Sequence, residues 1–188
     1  MKYVKILSLL AVASAALMAF AGSASATTVT SSEGETPKIV ASAEGHAVLD
    51  NPIAKIECAS TVEGTVESHG TGVPAAGAIS ELSFTNCTNS WHVTVVAKGS
   101  LSVTGTGGGN GTVSSSGATV EATRFGVVCR YSTGTGTKVG TVTGGTPATM
   151  HIEAAIPFHN GSFLCGEGAT TWTGSYSVSK PGTLTVDP

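Results

Sequence analysis

The run M-H-I-E-A-A-I, Met150 to Ile156, sets Met150, Ile152, Ala154 and Ile156 against His151, Glu153 and Ala155. Side chains two apart on an extended chain point the same way, so this period gives one apolar face and one polar face. The period recurs in both directions from there. Leu82 and Phe84 alternate with Glu81, Ser83 and Thr85, and Trp91, Val93, Val95 and Ala97 alternate with His92, Thr94 and Val96. Phe125, Val127, Cys129 and Tyr131 share a face, as do Trp172, Tyr176 and Val178, then Leu184 and Val186. Beyond the first 26 residues no window carries a convincing helical period.

Turn signals separate these runs: Asp50-Asn51-Pro52, Gly70 to Pro74, Gly105 to Gly111, Gly134-Thr135-Gly136, Gly144 to Pro147 and His159-Asn160-Gly161. Glycine and Asn-Gly supply the positive φ that tight hairpin turns require. Roughly ten short strands at this spacing predict an all-β fold, an antiparallel sandwich or barrel. Valine, isoleucine, phenylalanine and tryptophan would fill its interior, with threonine and serine facing water.

The N-terminus reads as a signal peptide over residues 1–26. Lys2 and Lys5 precede an apolar run from Ile6 to Phe20, and Ala24-Ser25-Ala26 gives the small-x-small cleavage pattern. Ser8 and Ser14 interrupt that run, which is shorter than the ~20 residues of a membrane helix, and no later segment is apolar enough to span. Thr27 to Thr36 read as a flexible lead-in and residues 37–188 as a single β domain. A chain of roughly 160 residues after cleavage can bury a substantial core.

A formal net charge of -3, with 9 Lys plus Arg scattered along the chain, points to neither nucleic acid nor a membrane as partner. Charged residues make up only 11%, so solubility rests on hydroxyls, amides and turns, as in many extracellular β proteins. The four cysteines, Cys58, Cys87, Cys129 and Cys165, all follow the signal peptide. An even count in an exported chain reads as disulfides. Three connectivities are open; pairing neighbours, Cys58–Cys87 and Cys129–Cys165, closes loops of about 30 to 37 residues, each worth about 3–4 kcal/mol by loop entropy. The short Cys/His spacing of a zinc site is missing, and no metal or cofactor is expected.

A weak echo links the halves. Cys58, Gly64-Thr65-Val66, Cys87 and Trp91 are followed by Cys129, Gly140-Thr141-Val142, Cys165 and Trp172, by duplication or by chance in a Thr/Gly/Val-rich chain. The segments I-E-C-A-S-T-V-E-G-T-V, L-S-F-T-N-C-T, V-V-C-R-Y-S-T-G-T-G, F-L-C-G-E-G and W-T-G-S-Y-S-V-S-K-P-G-T-L-T-V carry a resemblance over Ile53 to Val186. The chain resembles small secreted four-cysteine β proteins of high-GC Gram-positive bacteria. That resemblance implies export, paired cysteines and a β fold, and brings no functional residue with it.

Chemistry is sparse. The nucleophile-elbow pattern G-x-S-x-G does not occur. Of His46, His69, His92, His151 and His159, His92 and His151 fall on polar strand faces and read as solvated. Glu63 and Glu67 share strand parity but are separated by about 13 Å of extended chain, too far for the carboxylate pair of a retaining glycosidase. They read as outward charges protecting an edge strand. Gly105 to Gly111 reads as a mobile hairpin tip, since strand-like T-V-S-S-S-G-A-T-V follows it where a phosphate loop needs a helix.

Trp91, Trp172, Tyr131 and Tyr176 are candidates for stacking on sugar rings, although the valine, tyrosine and alanine beside the tryptophans favour core packing. The sequence therefore predicts a non-enzymatic structural or binding module, secreted or envelope-associated. Its partner would be a cell-wall or extracellular glycan or a surface protein. A carbohydrate-binding module and a small secreted hydrolase are the alternatives.

Overall fold

The computed structural model describes residues 27–67 and 74–188. The predicted signal peptide, His69 and most of the Gly70 to Pro74 turn lie outside them. In chain order the strands are β1 (Thr28–Ser31), β2 (Lys38–Ala43), β3 (Ala47–Asn51), β4 (Ala54–Val66), β5 (Ala75–Thr85), β6 (His92–Ala97), β7 (Ser100–Gly107), β8 (Asn110–Ser116), β9 (Thr119–Arg124), β10 (Val127–Ser132), β11 (Thr137–Thr143), β12 (Thr149–Ile156), β13 (Phe158–Gly161), β14 (Thr170–Lys180) and β15 (Leu184–Asp187). Two short 3-10 turns, Thr88–Ser90 and Phe163–Cys165, interrupt them, and the described residues contain no α-helix.

An antiparallel barrel of 8 strand positions forms the body of the molecule. Its order is β12, β11, β8, β7, β5, β4, then β2 with β3, then β14, which pairs back to β12. β2 and β3 occupy one position between the same two neighbours. Ala43 faces Tyr176 and Leu49 faces Trp172 on β14, while Ser42 faces Thr61 and Ala47 faces Cys58 on β4. The break between them is Glu44-Gly45-His46, with Gly45 at φ 87°.

The remaining strands pack on the two ends. At one end the β1–β15 ribbon brings Val29, Leu184 and Val186 against the barrel interior. At the other a four-stranded sheet, β6-β9-β10-β13, brings Val120 and Tyr131 against Leu49, Phe84, Ile156 and Trp172. The barrel walls alternate as the sequence predicts: on β12, Ile152, Ala154 and Ile156 are buried while His151 and Glu153 face out. Lys55 and Glu57 pair on the outside of β4 at 3.0 Å, and Lys38 reaches Glu63 at 2.8 Å. A lipid-spanning barrel carries an apolar outer band instead. No helix among the described residues is long and apolar enough to cross a membrane.

Several expectations are corrected. The all-β antiparallel barrel stands, with fifteen strands among the described residues where roughly ten are expected. The extra ones include β7 and β8, whose Ser/Thr/Gly content hides their apolar faces in the sequence. Thr27 to Thr36 is no loose lead-in: Thr28–Ser31 is β1, Val29 is buried, and the Gly105 N–H donates to Thr27 Oγ1 at 2.9 Å. The Gly105 to Gly111 tip is packed against β15. A Cβ on Gly105 would lie 2.6 Å from the Asp187 carbonyl oxygen, so only glycine allows the approach. β4 lies inside the barrel wall and has no free edge for Glu63 to protect. Cys58 lies on a barrel strand and Cys129 in the four-stranded sheet, so the echo between the halves does not reflect a repeated unit.

Both neighbour disulfides form, Cys58–Cys87 and Cys129–Cys165. The aromatic core sits between barrel and four-stranded sheet, with edge-to-face contacts of Phe84 with Trp172 at 5.8 Å and Tyr131 with Phe158 at 5.9 Å. Further inside, short aliphatics leave an apolar cavity of about 70 Å³ among Val62, Leu101, Val113 and Met150.

The two buried tyrosines differ in one contact. Tyr176 donates to Ser60 Oγ at 3.0 Å, whereas the Tyr131 hydroxyl has no partner. Tyr176→Phe strands a buried serine hydroxyl and should cost about 1–2 kcal/mol in a urea titration. Tyr131→Phe removes an unsatisfied group and should be neutral or stabilising by up to about 1 kcal/mol. Burial also raises the pKa of both hydroxyls, opposed at Tyr176 by the Ser60 hydrogen bond. The folded value then lies above the unfolded one of about 10, so ionisation favours unfolding at high pH. The contribution of these two tyrosines should be constant up to about pH 10 and fall above it, read as a drop in the urea midpoint with tyrosinate absorbance at 295 nm rising together with unfolding.

Candidate functional site

The end of the molecule capped by the four-stranded sheet gathers its unusual backbone. β9 and β10 are joined by two residues, Phe125 and Gly126, with Arg124 facing Val127 across the ladder. Both turn residues have positive φ, 48° at Phe125 and 81° at Gly126. A two-residue hairpin turn of this type favours Asn-Gly, and a bulky residue in the left-handed region is a true outlier. Phe125 is also 84% exposed. Its ring is supported from below: the Arg124 guanidinium carbon lies 4.9 Å from the Phe125 ring centroid and 5.9 Å from that of buried Trp91.

The neighbouring turns are anchored by covalent and hydrogen bonds. Ser162 donates its N–H to the Val128 carbonyl at 2.7 Å and accepts the Val128 N–H on Oγ at 3.1 Å. Cys165 then ties the following 3-10 turn to Cys129 of β10. Between these anchors Phe163 and Leu164 project at 92% and 51% exposure. The loop continues past Pro52, against which a Cβ on Gly166 would rest at 3.8 Å. Beside it, Ile53 is exposed at the β3–β4 turn, which Asn51 Oδ1 shapes by accepting the N–H groups of Ile53 and Ala54. Cys58–Cys87 fixes the other side, where Thr88 Oγ1 accepts the Glu57 N–H at 3.1 Å and the Trp91 N–H donates to the Thr88 carbonyl.

The residues weighed as sugar-stacking lie beneath this surface or within the barrel core. Trp91, Tyr131 and Tyr176 are buried, and Trp172 is half-buried with its ring edge-to-face against Phe84 and Tyr176. None of the four presents a free ring face, because the aromatic core uses them. His46, His92, His151 and His159 are all exposed. His151 makes the nearest approach to a catalytic grouping, with Nδ1 3.3 Å from Ser175 Oγ and Nε2 3.8 Å from Glu153. These groups stand on the outer barrel wall, with the His151 and Glu153 side chains 59% and 74% exposed. Among the described residues no three His, Cys, Asp or Glu side chains gather as a metal site.

Phe125 and Phe163 were missed as surface residues. Parity groups Phe125 with Val127, Cys129 and Tyr131, and the signal that breaks this series is Gly126 in the second turn position. For Phe163 the signal is two large apolar residues side by side between Asn160-Gly161 and Gly166-Glu167-Gly168. Set against protein-family models, curated proteins and solved structures, the chain matches none.

The strained turn makes a direct prediction. Phe125→Asn restores the residue type that the turn geometry favours and should stabilise the protein by about 1 kcal/mol in urea, with an unchanged far-UV spectrum.

Proposed function

We propose that the chain is an exported module without catalytic activity, associated with the cell envelope, and that it works by contact through its sheet-capped end. The N-terminal pattern and the two disulfides support export, because such bonds persist in oxidising compartments. One observation carries the contact reading: a phenylalanine held in a disfavoured turn conformation and left 84% exposed, beside a second that is 92% exposed. Strained backbone combined with exposed hydrocarbon is an arrangement that stability alone does not explain.

The alternatives have less support. Sugar stacking needs an accessible ring face, and Trp91, Trp172, Tyr131 and Tyr176 are engaged in packing. A hydrolase would have to use Ser175, His151 and Glu153 on an open wall, where water competes for each contact.

Fractionation of an expressing bacterium tests the reading. The wild-type protein should remain with washed envelopes. Phe125→Ser with Phe163→Ser should move it to the medium by about tenfold or more, in line with loss of two buried phenylalanines. His151→Ala should change nothing. Wild-type protein found wholly in the medium, or a double variant retained as well as wild type, would overturn the reading.

A further inference from the structure

We infer that the sheet-capped end docks on an anionic phospholipid bilayer, an inference that rests on the contact reading above and names its partner. The first argument is shape. The apolar side chains stand on separate turns: Phe125 between β9 and β10, Phe163 and Leu164 on the 3-10 turn after β13, and Ile53 between β3 and β4. At 84% and 92% exposure the two rings are projections, not the walls of a groove. A folded partner would need a matching pit for each, whereas a fluid acyl boundary closes around projections of any spacing.

The second argument is charge. Lys38, Lys55 and Arg130 each hold a carboxylate, on Glu63, Glu57 and Glu121 respectively. Arg124, like Lys98, Lys138 and Lys180, holds none among the described residues, but it stacks on the rings of Trp91 and of projecting Phe125. Its Nε is buried with no hydrogen-bond partner, so the terminal amino groups are what this guanidinium, stacked behind a projecting ring, offers a lipid phosphate when that ring enters the acyl boundary. Glu167, exposed in the loop that carries Phe163, and Asp50, exposed near the end of β3 beside the Ile53 turn, are the opposing charges. The third argument is order. Cys129–Cys165 and the paired Ser162–Val128 hydrogen bonds hold the 3-10 turn in place before any contact, so docking loses little chain entropy.

Flotation of the oxidised protein with vesicles provides the test, comparing phosphatidylcholine alone with phosphatidylcholine containing phosphatidylglycerol. Wild type should float with the anionic vesicles and several-fold less with the neutral ones. Phe163→Ser should cut the bound fraction about tenfold. Arg124→Gln should remove most of the preference for phosphatidylglycerol, an effect of about fivefold. Glu167→Gln should strengthen binding to anionic vesicles. Wild type that ignores both vesicles, that binds both equally, or that binds unchanged as Phe163→Ser overturns the lipid assignment. If such a protein is still retained on washed envelopes through Phe125 and Phe163, the contact surface stands and its partner is not lipid. If retention is also lost, both readings fall.

Discussion

The pairing of β14 on both of its sides is the constraint from which the rest of the molecule follows. One side meets β12 over Thr149 to Ile156, and the other meets β2 and β3 in succession. This closes the ring, so each of the eight positions is laddered to a neighbour on both sides, although β5 meets β7 only over Ala75–Ala78 and β12 meets β11 only over Thr149–Ile152. β14 also places Trp172 and Tyr176 where Phe84 and Ser60 meet them, linking closure of the backbone to the aromatic core. Opening this one strand would expose two edges and empty the core together.

Closure also explains how a chain so poor in large side chains keeps a core. Small eight-stranded barrels have an interior just wide enough for side chains to fill. Here valine, alanine and leucine do most of the filling, and the remaining cavity of about 70 Å³ is lined entirely by apolar groups. At about 24 cal/mol per Å³, such a void costs roughly 1–2 kcal/mol. Each disulfide, worth about 3–4 kcal/mol by loop entropy, exceeds that deficit. Both bonds lie at the sheet-capped end, so the covalent reinforcement is concentrated where the turns are irregular, while regular pairing suffices for the opposite end.

The parts of this architecture legible in the sequence are those that follow a strict period of two. β12 shows its inward and outward residues plainly, and the neighbour pairing of cysteines follows from keeping each loop within one half of the chain. What stayed hidden has local causes. β7 and β8 use glycine where β15 crosses closely, and glycine in a sequence reads as a turn whether it serves a turn or a close approach. β1 is only four residues long and owes its order to β15, far along the chain. The candidate site was hidden by parity itself, because Phe125 falls in step with the buried face of β10 although the chain has already turned.

That misreading leads to the last step. A residue in Phe125's backbone conformation costs on the order of 1–3 kcal/mol. Among the described residues its compensation is the stack on Arg124, and cation–π contacts at exposed sites contribute about 0.5–1 kcal/mol. Arg124 could give the same service to Trp91 without any ring at the turn, so the stack does not account for Phe125. Asparagine would fill the turn at lower cost and hydrate well. The phenylalanine therefore adds strain and exposed hydrocarbon at a single position, with too little returned within the fold. Burying that ring outside the chain would yield about 1.5–3 kcal/mol, enough to cover a shortfall of up to roughly 2.5 kcal/mol. Under the docking inferred above, a second apolar phase supplies that return, and the guanidinium behind the ring fits a boundary that carries negative charge.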